Sequence, residues 1–83
     1  MFAKLYETEL GQILVKRDTH DDGRPEIRFY FEPEGFGVCS HALTYPDTDE
    51  GFNDRDKFFD SLTVEKAVSF VSVTIHKLKG LNQ

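Results

Sequence analysis

Cys39 and His41 stand two residues apart in a run of strand-forming residues, so their side chains share a face and invite a thiol–imidazole nucleophile. Each residue of a strand advances about 3.3 Å, which starts the two groups about 7 Å apart without a built-in hydrogen bond. No oxyanion-binding feature accompanies them, and a free cysteine is most often a small buried hydrophobe. The expectation is no catalytic residue and no enzyme. A small Cys/His-dependent hydrolase is the alternative from that class.

Asp18-x-His20-x-Asp22-Gly23 imitates the front of a calcium loop, but its twelfth position is Phe29, where an acid is required, and strands flank it where helices are needed. Gly35-Phe36-Gly37 lies in a turn between strands and lacks the following helix of a phosphate site. Arg28-Phe29-Tyr30-Phe31 sets aromatics on a strand, as nucleic-acid-binding sheets do, without the rest of that pattern. No metal and no cofactor is expected. A formal charge of −5 and a pI near 5.0 also argue against direct nucleic-acid binding, which needs clustered Lys and Arg.

Two features are left to carry function. Asp18, Asp21, Asp22, Asp47, Asp49, Glu50, Asp54 and Asp56 concentrate negative charge in two segments, the composition of a solvated surface or of a mimic of a nucleic-acid backbone. On the last helix, Phe70 and Val73 fall away from the apolar stripe, between Lys66 and Lys77, and read as an exposed contact patch or a second packed layer. The leading expectation is a non-catalytic protein-interaction or regulatory module, acting on a protein partner or on itself as a homodimer. The alternative is an acidic inhibitor of a nucleic-acid-binding enzyme, of the kind phages and mobile elements encode.

These residues must be held by a single domain spanning 1–83. In a chain this short, eight Phe and three Tyr with no Trp supply much of the core. One cysteine excludes an internal disulfide and points to a reducing, cytoplasmic setting. The N-terminal residues contain neither a signal-like apolar run nor a membrane span, so no membrane partner is expected.

Residues 2–8 and 12–17 read as a hairpin closed by Glu9-Leu10-Gly11, with Ile13 and Val15 inward and Leu14 and Lys16 outward. Asp18 to Pro25 reads as an exposed loop. A second hairpin, Glu26 to Tyr45, turns at residues 33–37 and places Ile27, Phe29 and Phe31 in the core. For the fourth strand, Cys39, His41, Leu43 and Tyr45 form the preferred inward set. Pro46 ends that strand, and Asp47 to Gly51 reads as an acidic connection. A short helix over about 52–61 competes with a loop pinned by phenylalanines.

Thr63 as N-cap and Lys77, Lys79 and Gly80 as C-terminal signals frame a main helix of about 16 residues. Its stripe is Val64, Ala67, Val68, Val71, Ile75 and Leu78. The alternation of residues 71–76 would also suit a strand, and the end signals decide for helix. The predicted fold is therefore α+β: a four-stranded antiparallel meander packed against a C-terminal helix, with the short helix preceding it.

Overall fold

The computed structural model describes residues 2–81. Four strands, β1 (Ala3–Thr8), β2 (Gly11–Thr19), β3 (Pro25–Phe31) and β4 (Cys39–Thr44), form an open antiparallel sheet in the order β1-β2-β3-β4. Two helices follow, α1 (Asp49–Asp60) and α2 (Val64–Leu81), so the predicted α+β meander is the observed one. Each strand pairs with its sequence neighbour because the connections are too short for crossovers. Gly11 closes the first hairpin at φ 93°, in the region that favours glycine.

The register fixes which side chains meet the helices. Ile13 and Val15 of β2 and Ile27, Phe29 and Phe31 of β3 are buried, as predicted, with Phe59, Leu62, Ala67 and Val71 beneath them. Phe31 pairs with Cys39, Phe29 with His41 and Ile27 with Leu43, which places the preferred β4 set on the helix side. The opposite face of the sheet has no covering layer among the described residues.

Several boundaries move. β2 continues through Asp18 and Thr19, whose partners are Glu26 and Pro25, so the first acidic loop shrinks to residues 20–24. The second acidic segment is partly helical: Thr48 Oγ1 accepts from the Gly51 amide at 3.0 Å, and Asp49 and Glu50 occupy the first turn of α1. Negative charge there complements the exposed amides of the helix end. A helix thus replaces the loop alternative and begins three residues before the predicted start.

Gly51 is buried where the turn at Pro46 folds back on α1, and a Cβ there would overlap the Pro46 carbonyl oxygen. α2 has the predicted cap, with the Lys66 amide donating to Thr63 Oγ1 at 3.3 Å. It runs through residues 71–76 without a strand and passes Gly80, which interrupts nothing.

Long contacts tie the helices to the first two strands. Lys4 donates from Nζ to the Phe59 carbonyl at 2.6 Å, at the C-terminal end of α1, and lies over the Phe59 ring at 4.7 Å. A cation in that place offsets the partial negative charge of the helix end. Tyr6 donates its hydroxyl to the Leu62 carbonyl at 3.2 Å, and its burial raises the phenol pKa. Arg17 reaches Asp56 at 3.6 Å, and Arg55 donates to the Asp18 carbonyl at 2.8 Å.

Candidate functional site

The expectation that Phe70 would be exposed does not survive. Its ring stacks on Phe29 of β3 with centroids 4.2 Å apart and planes 25° apart, and His41 of β4 tilts against it at 5.5 Å. Ala67, Val71, Thr74 and Leu78 form the centre of the inward face, and an aromatic at the flank is long enough to reach the sheet. Val73 remains on the far side, 57% exposed, and Lys77 is exposed with it. The predicted patch of Phe70, Val73, Lys66 and Lys77 is therefore divided.

Phe70 and Lys66 belong to a groove of about 370 Å³, which Leu43 of β4, Phe58 of α1 and Glu65 and Ser69 of α2 complete. Three elements produce it for distinct reasons. β4 is an edge strand, so Leu43 is covered from one side only. Phe58 and Phe59 are consecutive on a helix, about 100° apart, and cannot both point into the core; Phe59 takes it and Phe58 lies at the margin. Lys66 folds towards the α1–α2 corner, with Nζ 3.5 Å from the Ser61 carbonyl. The floor is apolar, and Glu65, Lys66 and Ser69 supply its polar rim.

Cys39 and His41 share the helix-side face but are engaged separately. Cys39 Sγ is 3.7 Å from the carbonyl of Gly37 in its own turn, while His41 packs on Phe70. No group of three or more His, Cys, Asp or Glu side chains gathers into a metal-ligand cluster among the described residues.

The acidic residues come together at one end of the sheet. The Tyr45 amide donates to the Pro25 carbonyl at 2.9 Å, joining the end of β4 to the start of β3. Asp47 lies beside Gly23, and α1 carries Asp49, Glu50, Asp54 and Asp56 alongside. Asp56 pairs with Arg17 and Arg55, and Asp22 pairs with Arg24 at 2.7 Å and lies 3.1 Å from His20 Nδ1, which accepts from the Asp22 amide at 3.3 Å. The Arg24 backbone N–H is the main cause holding the Asp22 carboxyl below its ordinary range, helped by the Arg24 side chain. Asp18, Asp21, Asp47, Asp49, Glu50 and Asp54 have no ion-pair partner among the described residues. Burial raises the Tyr45 phenol at the edge of this surface, and the charge of Asp54 adds to the effect.

The uncovered sheet face carries a polar pair that the sequence reading did not single out. Glu26 is 3% exposed although it points away from the core. Arg28 lies across it, donating from Nε at 2.9 Å and Nη2 at 3.3 Å, and reaches Ser40 Oγ at 3.1 Å. The hydrogen bond to Glu26 raises the Arg28 pKa. Leu5, Leu14, Tyr30 and Val38 lie farther along the same face around a depression of about 220 Å³, with Leu5 58% and Val38 74% exposed.

Comparison of the chain with family models, curated proteins and solved structures finds no match. Among the described residues, no helix is long and apolar enough to cross a membrane.

Proposed function

We propose that this protein is a small, non-catalytic interaction module of the cytoplasm that grips a partner protein through the groove between β4, α1 and α2. The observation that carries this reading is the groove's composition, an apolar floor of Leu43, Phe58 and Phe70 beneath a rim of Glu65, Lys66 and Ser69. Its volume lies near the lower end of small-ligand sites, and one large apolar side chain of a partner would fill much of it. The opposite charges of Glu65 and Lys66 at the rim suit a peptide backbone or mixed-charge flanks better than a strongly charged ligand.

Ser69 is exposed, so Ser69→Arg obstructs the groove without touching the core. Selection from a peptide library should return sequences with an aromatic or aliphatic anchor that wild type retains and Ser69→Arg loses. Equal retention by both proteins would refute the groove as the contact site.

The convergence of the two acidic segments on one end favours a second reading, a mimic of a nucleic-acid backbone that occupies a basic cleft of a nucleic-acid-binding enzyme. Asp47 beside Gly23 and α1 alongside give that end a negative field that neither segment would produce alone. Inhibition of such an enzyme should weaken with rising salt and with charge removal at Asp47, Asp49 and Asp54. Inhibition indifferent to both would exclude this reading.

A further inference from the structure

We infer that the uncovered face of the sheet is a self-association surface whose occupant is a second copy of this chain, its strands antiparallel to those of the first. The register arranges this face in rows across the strands. Leu5 pairs with Leu14, Leu14 with Tyr30 and Tyr30 with Ser40, forming an apolar row. On one side lies an acidic and amide row, in which Glu7 pairs with Gln12 and Glu32 follows Tyr30 by two positions. On the other side Lys16 pairs with Arg28 and Ala42 extends the row.

This order is self-complementary in one orientation. A two-fold axis along the apolar row sets Leu5, Leu14 and Tyr30 on their own copies. It also carries Glu32 of each copy over Arg28 of the other, while Lys16 meets the field of Glu7 and Glu32. A two-fold axis parallel to the strands would instead stack Lys16 on Arg28 and Asp18 on Glu26, which like-charge repulsion disfavours. Neither Lys16 nor Glu32 has an ion-pair partner within the described chain, so both are available.

The area sets the strength. Four strands about 4.8 Å apart, and roughly 13 Å of strand from Gln12 to Lys16, the stretch that the axis maps onto itself, make about 250 Å² of flat face per copy. Both copies together bury somewhat more than about 500 Å² of accessible surface, below the roughly 1,200 Å² at which standard specific interfaces begin and in the range of weak, transient contacts. The dimer is therefore weak and concentration-dependent. It leaves the groove open, because the groove lies on the helix side of the sheet.

Sedimentation equilibrium on the full chain tests the assignment. Wild type should show a monomer–dimer equilibrium, and Leu5→Asp should weaken it by at least about tenfold, since it buries an unpaired charge on the apolar row. Glu32→Lys, which sets like charge over Arg28 of the second copy, should weaken it by a similar factor, while Glu32→Gln, which keeps the shape and removes only the charge, should weaken it less. Wild type monomeric at millimolar concentration would overturn the assignment. A dimer untouched by Leu5→Asp or by Glu32→Lys would do the same. Dissolution by Ser69→Arg would move the interface to the groove and overturn it as well.

Discussion

Replacing Phe70 with alanine separates the stacked arrangement from an exposed contact residue. A phenylalanine in a core buries about 150–200 Å². Phe70 is covered over about two-thirds of its surface or more and alanine keeps the Cβ, so roughly 90 Å² of contact is lost, worth about 2 kcal/mol at about 25 cal/mol per Å². The stack on Phe29 at 4.2 Å adds about 0.5–1 kcal/mol. Phe70→Ala should therefore cost about 2–3 kcal/mol. For a chain of this size urea unfolding has a slope near 1 kcal/mol per M, so the midpoint should fall by about 2–3 M, read by circular dichroism. A cycle with Phe29→Leu should return a coupling of about 1 kcal/mol. Val73→Ala, at a 57% exposed position on the same helix, should change stability by no more than about 0.5 kcal/mol. If Phe70→Ala behaves like Val73→Ala, the ring does not stack on the sheet and the groove loses its floor.

Further expectations rest on single contacts. Gly51→Ala, which in an open helix would stabilise by up to about 1 kcal/mol, should destabilise by about 2 kcal/mol because its Cβ meets the Pro46 carbonyl; a higher thermal midpoint would refute this packing. Arg28→Ala strands the Glu26 carboxylate, whose side chain is 4% exposed, and should cost about 2–3 kcal/mol, partly recovered by adding Glu26→Gln; equal losses with and without that second change would contradict the pairing. The lowered pKa of Asp22 means that its ionised form is favoured in the folded state. Its contribution is present above the ordinary aspartate value of about 4 and disappears as pH falls through the lower folded value. Carboxyl-carbon NMR should show Asp22 titrating below its value in the denatured chain. Because the Arg24 amide is the main cause, Arg24→Gln should keep most of that depression, and its complete loss would assign the effect to the side chain instead.

The sheet was legible because two-residue alternation and turn residues agree in it. Ile27, Phe29 and Phe31 have one apolar face and glycine-rich turns nearby, and the inward set of β4 follows from larger apolar area. The groove was not, because it depends on where α1 and α2 sit over an edge strand. An angular projection placed Phe70 on the flank of α2, and only the three-dimensional arrangement shows that a flanking ring can reach Phe29. The doublet Phe58-Phe59 was a usable clue, since a helix cannot bury both in one core. The uninterrupted Ile13-Leu14-Val15 likewise signalled an apolar position on the outer face. The union of the two acidic segments depended on the pairing of β3 with β4, which brings Asp47 to Gly23.

The bond from Lys4 to the Phe59 carbonyl also bears on the order of events at the ribosome. The meander can form only once Thr44 has left the exit tunnel, and the side chains that cover its apolar face come from α1 and α2, which emerge later. Hairpins form in microseconds, far faster than an interval set by extension at about 5–20 residues per second. During that interval Ile13, Val15, Ile27, Phe29 and Phe31 lie on one side of an unfinished sheet. That side of the sheet stays uncovered until α1 arrives, and stable compaction should register in arrested chains only after residue 59 has emerged.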